Sequence, residues 1–162
     1  MLGPDTPAPA GTPTGTQSER QAWLAALAHA GREELEQVWA GLAAPPAYET
    51  LRAAEVGLAM VRGRAGGTGQ PFNLGEMTVT RCAVRLTQSG IAGFGYVAGR
   101  DPRKAELVAL LDAVLQEEPH GRALRQPLVT RLTEARRQAR ETRARKIASS
   151  RVEFFTMVRG EG

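Results

Sequence analysis

The sequence predicts a single α+β domain in which helices flank an antiparallel sheet. Three observations lead to this prediction. Apolar residues recur at helical spacing near both ends of the chain. In the middle they alternate with polar residues or glycine, as in strands. The signals between these middle segments are short turns, and short turns join antiparallel strands. The predicted order of elements is therefore α-α-β-β-β-α-α-β.

The N-terminal part predicts a tail followed by a helical hairpin. Residues 1–17 are rich in Pro, Thr and Gly and should be disordered, so the domain itself is predicted to span residues 18–162. A capping box, Ser18-x-x-Gln21, predicts the start of a helix that ends near His29. A second helix should follow and end at Pro45. Its apolar residues recur at i, i+3, i+4 and i+7: Leu35, Val38, Trp39 and Leu42.

The middle of the chain predicts a three-stranded meander. Residues 48–55 are suited to a short helix, and strands are expected over residues 58–64, 77–86 and 91–98. Alternation in the second strand assigns its side chains to two faces. One face carries Val79, Arg81, Ala83 and Arg85, and the other carries Thr80, Cys82, Val84 and Leu86.

The C-terminal part predicts two helices and a closing strand. Asp101 and Pro102 are typical of a helix start, and Pro119 ends that helix. The last helix, residues 127–149, has almost no apolar side chains beyond alanine in its second half, so it should be solvated or docked on a partner. Residues 152–158 form an apolar run that suggests a strand covered on both faces.

Composition limits the possible chemistry. Of the charged residues, 11 basic and 4 acidic ones fall in residues 122–162, so the basic character is concentrated at the C-terminal end. One cysteine rules out an internal disulfide, and no Cys/His cluster has metal-ligand spacing, so no metal site is expected. The sequence shows neither a signal peptide nor a membrane-spanning stretch, and a cytoplasmic location is expected.

A glycine-rich loop is the first candidate for phosphate binding. Its backbone N–H groups and adjacent guanidinium group are suited to an anion. The candidate residues are Arg64, Gly66, Gly67, Thr68 and Gly69. The loop matches neither the P-loop nor the dinucleotide fingerprint, so a simple connection between strands is the favoured interpretation.

Arg81 and Arg85 are the second candidate, because they share one face of a strand. Like charges on one face repel unless an anion or carboxylates lie between them. They could therefore clamp a phosphate or belong to a salt-bridged surface, and the second interpretation is favoured. Cys82 is interpreted as a core residue, and no catalytic residue is predicted, since no histidine lies near it in the sequence.

The basic C-terminal helix offers a different class of function, RNA binding. Two observations argue against RNA binding. Glu134 and Glu141 interrupt the basic run, and no aromatic side chain lies within the run to stack a base. A helix that is solvated or docked on a protein partner is favoured, and nucleic acid is not expected as a partner.

Five stretches together form a recognisable pattern. They are Tyr48-Glu49-x-Leu51-Arg52-Ala53-Ala54-Glu55-x-Gly57-Leu58, Arg64-Ala65-Gly66-Gly67-Thr68-Gly69, Gly75-Glu76-x-Thr78-Val79-Thr80-Arg81-x-Ala83-Val84-Arg85-Leu86, Gly95-Tyr96-Val97-x-Gly99-Arg100-Asp101 and Ser150-Arg151-Val152-Glu153-Phe154-Phe155-Thr156-Met157-Val158-Arg159-Gly160-Glu161. The pattern resembles the PhnG family, the G subunit of the bacterial carbon–phosphorus lyase core complex. The resemblance spans residues 21–161, is most specific in the closing block, and is loose over residues 116–145.

The resemblance implies a role in phosphonate catabolism within an assembly of G, H, I and J subunits, which a K subunit joins. It implies that the complex displaces adenine from ATP with a phosphonate such as methylphosphonate, giving α-D-ribose 1-methylphosphonate 5-triphosphate. The resemblance also implies that the I subunit carries the chemistry and the J subunit a later radical iron–sulfur step. This chain would then be an accessory subunit without a cofactor, self-associating within the complex, while ATP and phosphonate are substrates of the whole.

The closing block supplies the candidates for a partner interface: Arg151, Phe154, Phe155, Met157 and Arg159. The two adjacent phenylalanines point to opposite faces of a strand, so one should enter the core and the other a subunit interface. Three functions remain open from sequence: an accessory subunit, a subunit that binds triphosphate directly, and a free-standing RNA-binding protein.

Overall fold

The computed structural model describes residues 15–149. Its elements are α1 (Gly15–His29), α2 (Arg32–Ala40), β1 (Tyr48–Arg64), a 3-10 turn (Ala65–Gly67), β2 (Pro71–Leu86), β3 (Ala92–Ala98), α3 (Pro102–Gln116) and α4 (His120–Ser149). The strands lie in the order β1-β2-β3, each antiparallel to its neighbour. The predicted α+β class and meander are confirmed, whereas the predicted closing strand lies outside the described residues.

Helix α3 is the centre of the core. Every residue from Leu107 to Leu115 is buried, and α3 contacts the sheet as well as the other three helices. A helix that is covered all round needs apolar residues on every side, and α3 has them apart from one aspartate. The helix begins as predicted, because a side-chain oxygen of Asp101 accepts a hydrogen bond from the Lys104 backbone N–H at 3.0 Å and Pro102 occupies the first turn.

Helix α3 lies directly on the backbone of β3. Gly93 and Gly95 face the helix, and a Cβ atom at either position would overlap a backbone carbonyl oxygen, that of Ala109 or Ala105. The absence of side chains at these two positions allows the close approach of helix and strand. The glycine-rich sequence of β3 is therefore a packing requirement.

A buried carboxylate connects α1, α3 and β3. Asp112 on α3 is fully buried and accepts hydrogen bonds from Arg20 Nη2 at 2.7 Å, Trp23 Nε1 at 2.9 Å and the Phe94 backbone N–H at 3.0 Å. A buried charge is tolerated when it is paired and hydrogen-bonded, and these donors meet both conditions. The network joins the first helix to the sheet through the central helix.

The predicted short helix over residues 48–55 is wrong, since this stretch is the first half of β1. Leu, Arg, Ala and Glu favour a helix locally. In the structure Tyr48 pairs with Leu86 and Thr50 with Val84, so β2 supplies the backbone partners. Tertiary pairing overrides a weak local preference here.

Four predicted boundaries are also wrong. α2 ends at Ala40 rather than at Pro45. β2 begins at Pro71 rather than at residue 77, and α1 begins at Gly15, so Ser18 lies within the helix instead of capping it. α4 begins at His120, and Pro127 lies inside it. A proline inside a helix costs about 3 kcal/mol. Packing of Leu128 and the buried Leu132 against the core on the next turns offsets that cost.

The structure contains no helix, within residues 15–149, that combines the length and the apolarity needed to span a bilayer.

Candidate functional site

Strands β1 and β2 extend beyond the rest of the sheet as a two-stranded ribbon. β3 pairs with β2 only between Val79 and Arg85. Residues 58–64 and 71–78, here called the hairpin arm, therefore pair with each other, and their one other backbone contact among the described residues is a hydrogen bond from the Gly99 N–H to the Thr78 carbonyl. No side chain of the arm is buried. The arm projects from the domain without a core of its own.

The hairpin arm carries large apolar side chains on both faces. Leu58 and Met60 are 65% and 54% exposed and, as alternate residues, share one face. Met77 pairs with Ala59 and therefore points to the opposite face, where Phe72 and Leu74 lie against Gly63. Antiparallel ribbons that remain in water usually have one polar face. The arm therefore leaves apolar surface uncovered on both faces within residues 15–149.

The glycine-rich loop forms the tip of the hairpin arm. Gly66 and Gly67 have φ values of 60° and 81°, which L side chains rarely adopt, so the turn itself requires glycine. Arg64 Nη1 donates a hydrogen bond to the Gly69 carbonyl at 3.1 Å and closes the turn. The candidate residues Arg64, Gly66, Gly67, Thr68 and Gly69 thus lie together, in a geometry that a strand connection explains.

Arg81 and Arg85 share one face of β2, as predicted. Arg81 Nε lies 2.7 Å from Glu55 Oε1, and Arg85 Nη1 lies 3.1 Å from Glu49 Oε1. The hydrogen bond to Glu55 raises the pKa of Arg81. Carboxylates on β1 therefore offset the repulsion between the two guanidinium groups. This geometry favours the salt-bridged surface over a phosphate clamp.

The structure does not bring the two phosphate candidates together. Arg81 lies opposite the Glu55 region of β1, whereas the loop begins after Arg64, nine residues further along the strand. At about 3.3 Å per residue the separation is roughly 30 Å. The loop and the arginine pair cannot hold the same phosphate chain within one molecule.

We expect Arg64→Ala to change stability by less than about 1 kcal/mol, because its hydrogen bond is exposed. In the complex that the family resemblance implies, adenine release should stay within a few-fold of the unmodified rate. A phosphate contact would instead be worth about 1.5–3 kcal/mol, or roughly a ten- to a hundred-fold change. A loss of that size in an intact complex would identify the loop as a binding site.

Cys82 lies in the core. Its Sγ lies 3.4 Å from the Arg52 carbonyl, and burial raises the pKa of the thiol. A thiol with a raised pKa remains protonated near neutral pH and is a poor nucleophile. Among residues 15–149, no three His, Cys, Asp or Glu side chains lie close enough to share a metal ion.

Sequence reasoning missed a basic cleft between α4 and the α1–α2 junction. Three arginines of α4 line it, Arg136, Arg140 and Arg143, opposite His29 and Gly31. The i, i+4, i+7 spacing of the arginines was the available signal, because it places all three on one helix face. The net charge of α4 hides this signal, because it does not distinguish one helix face from another.

The partner candidates of the closing block, Arg151, Phe154, Phe155, Met157 and Arg159, lie outside the described residues. The predicted division of the two phenylalanines between core and interface stays a prediction.

Comparison with known proteins places these features in a family context. The family model described as "Phosphonate metabolism protein PhnG" matches residues 18–160. The chain is 43% identical, over 148 residues, to a protein of Rhizobium meliloti (strain 1021) described as alpha-D-ribose 1-methylphosphonate 5-triphosphate synthase subunit PhnG. That alignment covers 89% of this chain and 91% of the relative. The resemblance seen in the sequence motifs is confirmed.

Proposed function

Since this chain belongs to the PhnG family of phosphonate metabolism proteins, we propose that it is an accessory subunit of a carbon–phosphorus lyase core complex. In this role it supports the transfer of methylphosphonate to the ribose C1 of ATP with release of adenine. The Rhizobium relative, whose name assigns it to a synthase that makes the product of this transfer, supports the proposal.

The hairpin arm is the observation that carries this proposal. An isolated two-stranded hairpin is marginally stable in water. The arm adds to this difficulty by exposing apolar residues on both faces, among them Leu58, Met60 and Leu74. Exposed apolar patches of this kind mark protein–protein interaction sites. A subunit that contributes such an arm to an assembly suits an accessory role better than a role as an independent enzyme.

The partners in this proposal are the H, I and J subunits, with the K subunit at the periphery and self-association of this chain within the complex. The subunit acts in the cytoplasm and holds no cofactor. ATP and the phosphonate are substrates of the complex, and the I subunit supplies the reacting groups.

Co-purification tests the proposal directly. The full chain, tagged and co-expressed with the candidate I and H subunits, should elute with them at a size larger than any single subunit. The assembled complex should release adenine from ATP when methylphosphonate is added, and omission of this chain should abolish that release. A full chain that elutes as a monomer in the presence of both partners contradicts the proposal.

A substitution in the hairpin arm tests whether its apolar surface binds the partner subunits. We expect Leu58→Asp to leave the circular dichroism spectrum unchanged, because Leu58 is exposed and holds no core contact. Capture of the partner subunits should weaken roughly thirty-fold or more, since an interface hot spot contributes about 2 kcal/mol or more. Binding to immobilised I subunit, measured as a dissociation constant, checks this result.

The matched control is Gln88→Asp, which adds the same charge at the exposed turn between β2 and β3. It should bind the partners as tightly as the unmodified chain. Equal affinity of both variants would show that the arm lies outside the interface.

A further inference from the structure

The basic cleft, lined by Arg136, Arg140 and Arg143 of α4 and by His29, Gly31 and Glu34, has a volume of about 230 Å³. Its walls come from separate elements, since α4 supplies the arginines while the end of α1 and the start of α2 supply the opposite side. Alanines at positions 135 and 139 leave space between the arginine side chains. The cleft is therefore concave, basic and open to solvent.

The three arginines of the cleft lack carboxylate partners in the part of the chain that the structure describes. Glu134 and Glu141, the acidic residues of α4, both pair with Arg137, at 2.7 Å and 2.8 Å. No ion pair within residues 15–149 involves Arg136, Arg140 or Arg143. Like charges at i, i+4 destabilise a helix. The cleft thus concentrates positive charge that the described protein does not neutralise.

The lowered pKa of His29 is consistent with the same excess of positive charge. Partial burial of the ring lowers its pKa, and the charges of Arg136, Lys104 and Arg140 lower it further. Glu34 of α2 is the one carboxylate in the lining, and it does not outweigh these cations. Near neutral pH the ring is therefore mostly uncharged, and an anion bound beside it would favour its protonated form.

We propose that the basic cleft binds a small polyphosphate, such as the phosphate chain of a nucleoside triphosphate. Arginine presents a planar group of N–H donors that matches phosphate geometry, and three such groups line one wall of the cleft. The backbone N–H groups at the start of α2 lie beside Gly31 and add donors to the same region. The inference rests on the cleft alone and is independent of the assembly role proposed above.

The lining of the cleft favours a small ligand over single-stranded RNA. Single-stranded nucleic acid is held by aromatic side chains that stack on successive bases. No Phe, Tyr or Trp lines the cleft within the described residues. Three cations along one wall of a short cleft suit a compact cluster of phosphates better than an extended strand.

Calorimetric titration of the full chain with inorganic tripolyphosphate tests the proposal. We expect the unmodified chain to bind it, and Arg140→Gln to weaken binding roughly ten- to a hundred-fold, because one charge-assisted contact is lost. Arg140 is exposed, so the variant should fold normally. Arg136→Gln is expected to weaken binding to a similar extent.

Arg137→Gln is the matched control, since it removes the same charge from the same helix but from a residue already paired with two glutamates. It should bind tripolyphosphate within about two-fold of the unmodified chain, a change well below the loss of one contact. Equal weakening by Arg137→Gln and Arg140→Gln would show that only the general charge of the helix matters, and would overturn the proposal. Absence of binding by the unmodified chain, or displacement of tripolyphosphate by a much more tightly bound single-stranded RNA, would overturn it as well.

A second readout does not depend on affinity. The chain has only two histidines, so the ring signals of His29 in an NMR titration can be assigned with the variant His120→Gln. Saturation with tripolyphosphate should raise the pKa of His29, because the anion offsets the surrounding cations. An unchanged pKa for His29 at saturation would place the ligand elsewhere and overturn the proposal.

Discussion

Replacement of Asp112 by alanine should lower the free energy of unfolding by about 2–6 kcal/mol. The carboxylate is fully buried and accepts hydrogen bonds from Trp23 Nε1 and from the Phe94 backbone N–H. Alanine would leave both donors without an acceptor, and each unsatisfied donor costs about 1–3 kcal/mol. Arg20 contributes less to this loss, since its side chain is one-third exposed and can be hydrated. Urea unfolding of the full chain, followed by circular dichroism, measures the change.

Two further variants show whether the hydrogen bonds of Asp112 are responsible. Asp112→Asn keeps one acceptor oxygen at nearly the same size, so its loss should fall between zero and that of Asp112→Ala. Glu134→Ala removes a carboxylate from an exposed pair with Arg137 and should cost less than about 1 kcal/mol. If Asp112→Ala were no more destabilising than Glu134→Ala, the buried network would contribute little to the fold.

Replacement of Gly95 by alanine should cost about 3 kcal/mol, near the upper end of what overpacking a core causes. The added Cβ would overlap the backbone carbonyl oxygen of Ala105 and press on the backbone nitrogen of Ala109. Both atoms belong to α3, which is held on its other sides by the remaining helices. The helix must therefore move away from the sheet and lose contacts along its length. The urea midpoint of the full chain should fall accordingly.

Gly57→Ala is the matched control for Gly95→Ala. Gly57 also lies in a strand, but an added Cβ would meet no atom within 4 Å. The control should leave stability nearly unchanged. Ala105→Gly should not rescue Gly95→Ala, because the overlap is with a backbone oxygen that this change leaves in place. Rescue by Ala105→Gly would show that the close approach of α3 to β3 is described wrongly.

The sequence predicted those features that depend on residues close together along the chain. Alternation over β2 placed Thr80, Cys82, Val84 and Leu86 together on one face, and all four are buried. The cap at Asp101 located the start of α3. The family resemblance also depends on residues close together along the chain, because it rests on short blocks of residues at set positions. The family match over residues 18–160 confirmed it.

Less of the candidate site than of the fold could be predicted from the sequence. The shared face of Arg81 and Arg85 followed from alternation, but their pairing with Glu55 and Glu49 depends on how β1 lies beside β2. The basic cleft requires α4 to pack beside the α1–α2 junction, which no local pattern encodes. The spacing of Arg136, Arg140 and Arg143 places them on one face of α4, but what lies opposite that face depends on the tertiary packing.

By itself, the sequence determined the family of this protein, its α+β class and how the side chains of residues 77–86 alternate between two faces, since helical and strand periodicity act within a few residues. Only the tertiary structure decided that residues 48–55 form a strand, that the hairpin arm projects beyond β3, and that Asp112 meets Arg20 across 92 positions of the chain. Those outcomes depend on which distant segments form hydrogen bonds with each other's backbone and buried polar groups. A local preference of a few tenths of a kcal/mol per residue is smaller than the free energy that such pairing contributes.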